Sequence, residues 1–388
     1  MGIESLNKLL TRKISEGLPC CAIHIAQRGK TLFEGYYGYA DKEKTKKVNA
    51  DSIFRMASMS KLPLYTAMMM LYEQGRICFH DPISKYFPEW SNMKKFQHNP
   101  DGTLSVVPCE RPITVKDVMT MSCGLPYCNK GLVPSQPTPQ SMAAAMKELW
   151  DRGYYSLREH IEATSRSILS FEPGTHWMYG FSSELAAGIV ETVMDMPFND
   201  ALVEMIFKPL GMDSTRAFYF GDVRERMVDV FAESPDGTFT PTVIPMDTKH
   251  KPGRENEEGC ARLFSTARDY NRLMQLLAND GELDGVRLLG RKTIELMHQN
   301  NLNEEQMKDF FDANDGYGYG YGVRTLVDRS RGNVSASLGS FGWSGGFGTW
   351  CESDPVEHVS IVFMRNLFPP LDNDLIHQMR AAAYSCIE

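Results

Sequence analysis

Two serines stand where a nucleophile could be made. In F-R-M-A-S-M-S-K, Ser58 and Lys61 have the S-x-x-K relation. Three residues are close to one helical turn, so on a helix the two side chains share a face and the lysine amine approaches the serine oxygen. Desolvation lowers a lysine's pKa and makes it a base able to activate that hydroxyl. The same spacing also arises where a serine caps a helix and a solvated lysine comes after it. Near the other end, Gly342–Gly346 read G-W-S-G-G, a match to the G-x-S-x-G pattern that offers Ser344. That pattern needs a strand, a sharp turn and a helix around its serine. The residues after Ser344 are glycine-rich and then strand-like. With Asp354 and His358 or His377 as candidate partners, the chain ends too soon for the later elements of an α/β-hydrolase. Ser344 is therefore expected as a hydroxyl on a strand lining the cleft, able to bond substrate or Tyr179, or simply as a group satisfying backbone. Tyr179 lies between a Pro-Gly turn and a helix; near Ser58 and Lys61 its phenol would carry protons, and elsewhere it would only pack.

The elements that must position these residues show in the hydrophobic pattern. C-A-I-H-I-A-Q-R-G-K-T-L-F-E-G-Y-Y-G reads as a hairpin around Arg-Gly-Lys. From Ser58 to Gly75 the residues Leu64, Ala67, Met68 and Leu71 recur at helical spacing up to a glycine suited to a C-cap, with Met68, Met69 and Met70 as core filler. The segments I-T-V-K-D-V-M-T-M-S, S-S-E-L-A-A-G-I-V-E-T-V-M-D and S-T-A-R-D-Y-N-R-L-M-Q-L-L-A-N-D are helical, and the middle reads as a helical lobe. The Pro- and Gly-rich stretch from Cys123 to Gln140 reads as a binding loop, a lid or a plain surface excursion. Strand patterns return in Y-G-Y-G-V-R-T-L-V, F-G-T-W-C-E-S and H-V-S-I-V-F-M-R-N, before a last helix; the Gly-Tyr repeat is too short for a solenoid. The expected fold is an α/β sandwich: an antiparallel sheet built from N- and C-terminal strands, flanked by helices, with an inserted mainly helical lobe and the cleft between the two. The boundaries expected are 1–80 with 255–388 for the sheet domain and 81–254 for the insert.

Composition narrows the classes. The chain has 388 residues, 42% hydrophobic and 23% charged, which is globular and long enough for one large core or two lobes. A net charge of -8 with scattered lysines and arginines leaves no basic field for nucleic acid. No apolar stretch is long enough for a membrane span, and the charged N-terminus lacks a secretory pattern, so a cytoplasmic location is expected. Nine cysteines without repeated C-x-x-C spacing read as buried thiols, and histidines spread singly predict no metal site.

These parts, in this order, resemble the serine β-lactamase and penicillin-recognising superfamily, and within it the class C β-lactamase-like branch that includes family VIII carboxylesterases. The likeness runs through most of the chain, including G-R-I-C-F-H-D-P-I-S-K-Y-F-P-E-W, F-E-P-G-T-H-W-M-Y-G, F-K-P-L-G-M-D-S-T and G-W-S-G-G-F-G-T-W. It implies a β-lactamase/transpeptidase-like fold, with Ser58 as nucleophile, Lys61 as its partner and Tyr179 as the tyrosine of a Tyr-x-Asn element. It puts Trp343, Ser344 and Gly345 where the family has Lys-Thr-Gly, His-x-Gly or, in many esterases, Trp-Gly-Gly, and it makes the amides of Ser58 and Gly346 the oxyanion hole. Two departures bear on substrate: Phe181 takes the asparagine position, and Trp343 takes that of the lysine that helps bind the carboxylate of β-lactams and peptides. Losing an amide donor and a cation disfavours an anionic, amide-bearing substrate and suits an uncharged ester. Pro63 stands one position later than the family's usual proline, so an altered first turn is expected. The resemblance thus implies a serine carboxylesterase acting through an acyl-enzyme on a small ester or acyl substrate, without cofactor. β-Lactamase, D-alanyl carboxypeptidase or acyltransferase activity with the same nucleophile are the alternatives, as is a catalytically silent binding protein.

Overall fold

The computed structural model describes residues 2–387 except 129–134, 235, 237, 243–261 and 371–373. Strands β1 (Cys20–Gln27) and β2 (Lys30–Gly38) pair antiparallel with Gln27 opposite Lys30. The two turn residues have φ of 50° at Arg28 and 78° at Gly29, the positive values of a tight turn whose twist matches that of the strands. Five later strands complete the sheet: β3 (Tyr317–Tyr319), β4 (Arg324–Leu326), β5 (Phe341–Ser344), β6 (Trp350–Asp354) and β7 (Val359–Met364). The order is β3-β4-β5-β6-β7-β1-β2 and every pairing is antiparallel, so the N-terminal hairpin extends the C-terminal strands through Ile23 opposite Phe363.

Five helices support the sheet and the site: α1 (Gly2–Ser15), α2 (Lys61–Glu73), α3 (Ser182–Met194), α4 (Ala267–Ala278) and α5 (Asp374–Tyr384). Alternation along β7 decides which helix covers which face. Val359, Ile361 and Phe363 join Ile23, Ile25 and Trp350 under Leu6 and Leu10 of α1 and Leu375 and Met379 of α5. Val362 and Met364 point the other way, into the larger core that holds Leu273, Met274 and Leu277 of α4. Met68, Met69 and Met70 of α2 lie in that same core, as filler should. Antiparallel strands from both chain ends between helical layers are the expected sandwich.

Three local expectations are corrected. The helix expected over 58–75 is split: a 3-10 turn spans Ala57–Ser60 and the α-helix starts at Lys61, with Pro63 in its first turn where a missing N–H costs no bond. Within the stretch read as a long connection, helix Pro137–Arg152 begins with proline at its first position, and residues 129–134 lie outside the described residues. The middle of the chain also carries a small sheet, Lys94–His98 with Leu104–Pro108 and Ile168–Leu169. Its hairpin leaves Leu104 and Val106 exposed, so it lacks the apolar alternation by which a strand is read. The boundary expected at 254 falls outside the described residues. No helix among them is long and apolar enough to cross a membrane. The eight described cysteines are unpaired, and five of them are buried.

A buried ion pair ties α5 to the sheet. Arg380 donates through Nε to Glu352 Oε1 at 2.9 Å and through a second nitrogen to Oε2, while Tyr384 Oη donates to Oε1 at 3.0 Å. Both charged side chains are 5% exposed. Arg380→Met is expected to destabilise the fold by about 3–5 kcal/mol, because Glu352 is left charged and buried without its cation. A shift of the urea midpoint at constant slope reads this out.

Candidate active site

Ser58 sits half-buried on the 3-10 turn, one residue after Ala57, whose φ is 45°. A side-chain-bearing residue holds that left-handed conformation only where its surroundings impose it. The turn after β5 supplies part of the constraint: a Cβ on Gly345 would come within 2.2 Å of the Met56 carbonyl oxygen, so only glycine allows this approach. Thr349 Oγ1 donates to that same carbonyl at 3.2 Å, and Tyr270 Oη of α4 donates to the Met59 carbonyl at 2.7 Å. Ser60 Oγ accepts from the Leu263 amide at 3.0 Å. The backbone on either side of Ser58 is thereby fixed from three directions.

Lys61 lies at the start of α2 and is fully buried. Its Nζ donates to Tyr127 Oη at 3.0 Å and lies 4.9 Å from the ring centre of Tyr179 and 5.7 Å from that of Tyr127. The two tyrosines meet because residues 121–127 run beside 178–181. Met178 N donates to Met121 O at 2.8 Å, Phe181 N donates to Leu125 O at 3.0 Å, and Pro126 bridges to Gly180. A Cβ on Gly180 would come within 2.0 Å of the Leu125 carbonyl oxygen, which explains the glycine between Tyr179 and Phe181. The rings of Tyr127 and Tyr179 stand edge to face with centres 5.5 Å apart.

From the sheet, Trp343 donates its indole N–H to Tyr179 Oη at 3.0 Å, with ring centres 5.4 Å apart. Below them, burial pushes the Tyr319 hydroxyl well above its ordinary pKa, with Tyr179 adding to the shift, so Tyr319 stays protonated and acts as packing. Gly346 lies beside the serine-bearing turn: a Cβ there would be 4.0 Å from Ala57 Cβ, in ordinary contact. Its amide donates to no backbone carbonyl among the described residues outside helices and strands.

The structure thus brings Lys61, Tyr179 and Trp343 together and sets Gly345 and Gly346 against the turn of Ser58. Phe181 stands one ring further out, edge-on to Tyr127 at 5.5 Å and to His160 at 5.1 Å, so it supports Tyr127. Ser344 departs from expectation. It pairs with Trp350 while Trp343 pairs with Cys351, and strand alternation sends Ser344 to the opposite face from Tyr179. There it lines a cavity of about 460 Å³ with Arg324, His377 and Arg380. Tyr127 is a site residue that the sequence pattern does not single out; its one signal is a phenol inside the Pro- and Gly-rich segment after C-G-L-P, which reads there as a lid.

One group among the described residues has the composition of a metal site: Cys78, His80 and Asp81, with ligand atoms within 4.8 Å of one another. It lies past the far end of α2 from Ser58, and Asp81 Oδ2 already bonds Lys85 and Tyr86 at 2.9 Å.

A family model described as Beta-lactamase matches residues 6–384. Protein Rv1367c of Mycobacterium tuberculosis is 26% identical over 355 residues, 90% of this chain and 86% of that protein. Esterase EstB of Burkholderia gladioli is 22% identical over 376 residues, 93% of this chain and 89% of that protein. Among solved structures, EstCE1, described as a hydrolase with promiscuous acyltransferase activity, superposes with a TM-score of 0.81 at 21% identity, covering 98% of each chain.

Proposed function

Because the chain belongs to the Beta-lactamase family, we propose that it is a serine hydrolase that cleaves an uncharged carboxylic ester through an acyl-enzyme on Ser58. The observation that carries this reading is the buried amine of Lys61, bonded to one phenol and covered by another, three residues after a serine on a constrained turn. Ser58 Oγ attacks the ester carbonyl carbon as its proton passes to Lys61, the general base. The tetrahedral oxyanion is held by the amides of Ser58 and Gly346. The bond from carbon to the alkoxy oxygen breaks as a proton returns through Tyr179, and the alcohol leaves. Water then attacks the acyl carbon, gives up a proton to the same groups, and releases the acid and Ser58.

Trp343 favours an ester over a β-lactam or peptide carboxylate. Its indole is a neutral donor already committed to Tyr179, so this strand offers no cation to an anionic substrate. On a panel of short-chain p-nitrophenyl esters with a chromogenic cephalosporin included, kcat/KM for the best ester is expected to exceed that for the cephalosporin by about a hundredfold, the size of a lost charged hydrogen bond. Comparable values would move the assignment to a β-lactamase or D-alanyl peptidase. Acyl transfer uses the same intermediate, and the apolar rings of Trp177, Phe311 and Trp343 around Tyr179 favour an alcohol acceptor over water. In aqueous methanol, methyl ester formed in excess of its molar share would support that second activity.

A further inference from the structure

Phe311 is 57% exposed, yet its ring is part of the aromatic wall of the site. Its centre lies 5.2 Å from that of Trp177, 6.2 Å from Tyr179 and 6.1 Å from Trp343. A singly exposed apolar side chain is ordinary on a protein surface, but a ring held against the tyrosine and tryptophan of the proposed site presents an apolar face where a substrate group would pass. The backbone that presents it is firmly held. The helical turn Glu304–Asp309 is closed by a capping box between Asn303 and Gln306, and Gln306 also donates to the Gly174 carbonyl at 3.0 Å. Asp309 accepts from the Trp177 amide at 3.2 Å and contacts the His176 ring at 2.9 Å. On the other side Asp312 receives Arg324 at 3.0 Å, and Phe310 is buried against Trp177. The backbone that carries the ring is therefore held before any ligand arrives, which lowers the cost of ordering this side of the site.

We propose that Phe311 forms the outer platform of a substrate subsite that takes the planar ring of an aryl or arylalkyl ester, stacking it while the ester carbonyl reaches Ser58. The exposed ring of Phe311 offers its face to a flat group, backed by the buried rings of Trp177 and Trp343, and none of the three carries a charge that would demand a polar substituent. This subsite rests on the reading of Ser58 as nucleophile.

Matched esters isolate the platform: ethyl butyrate without a ring, benzyl butyrate with a ring in the alcohol and ethyl phenylacetate with a ring in the acyl group, all followed by titration of released acid. Phe311→Ala is expected to raise KM about tenfold for the ring-bearing ester that wild type prefers, the upper size of a stacking contact, and to raise it several-fold less for ethyl butyrate, which has no ring to stack. Phe311→Trp is expected to restore the low KM, whereas Phe311→Leu, apolar and easily folded, is not. Equal losses on all three esters, or no change on any, would overturn the platform. Should Ser58→Ala retain full turnover, the nucleophile assignment fails instead; an inactive Ser58→Ala beside an unselective Phe311→Ala removes the platform alone.

Discussion

Ser58→Ala is expected to lower kcat/KM on a short-chain p-nitrophenyl ester by about 10⁴-fold or more while the protein keeps its melting temperature. On the proposed mechanism the loss is large because Ser58 supplies the oxygen of the acyl bond, and the oxyanion donors and substrate contacts proposed to remain would accelerate only the attack of water. The fold is spared because the turn owes its shape to its neighbours. Met56 is held by Thr349, Met59 by Tyr270 and Ser60 by the Leu263 amide, none of them through the Ser58 side chain. Ser344→Ala is the matched control. Its hydroxyl is on the face of β5 away from Tyr179, and rates within about twofold of wild type are expected. Stopped assays with both variants at equal concentration, each checked by circular dichroism, decide between the two serines.

The second large effect is at Lys61. Lys61→Met keeps the length and apolar stem of the side chain and removes the amine, and kcat is expected to fall by about 10³-fold, within the range for loss of a general base. Tyr127→Phe removes the acceptor of the 3.0 Å bond from Lys61 and keeps the amine itself, so it should cost much less, about tenfold, because Tyr179 still covers the amine. The two single variants and the double variant form a cycle. If Tyr127 acts only by orienting Lys61, the double variant is no slower than Lys61→Met. A Lys61→Met enzyme of nearly full activity would remove the proposed base from the mechanism.

The sheet and its covering helices are readable from the chain because burial leaves a periodic mark. The hairpin at Arg28-Gly29 shows as two β-rich runs around a turn, β7 as a short, nearly continuous apolar run buried on both faces, and α4 as an amphipathic pattern of period about 3.6. The Ser58 and Lys61 pair is readable because its spacing is local, and Tyr179 because a turn precedes it. What escapes depends on contacts distant in sequence. Tyr127 joins Lys61 only because residues 121–127 are bonded alongside 178–181, a pairing that no spacing within either segment encodes. The direction of Ser344 is set by the register of β5 on β6, where a shift of one residue reverses the face. The hairpin at Lys94–Pro108 escapes because it leaves apolar residues on its exposed side and so lacks the alternation of a half-buried strand. Phe311 reads as one more aromatic in a tyrosine-rich stretch; only the fold sets its ring against Tyr179 and Trp343.

The most direct test of the central claim is to label the folded protein with a fluorophosphonate and map the adduct by peptide mass spectrometry. One adduct per chain on the peptide containing Ser58, absent from Ser58→Ala, is the expected result. An adduct on Ser344, or none on correctly folded protein, would contradict it.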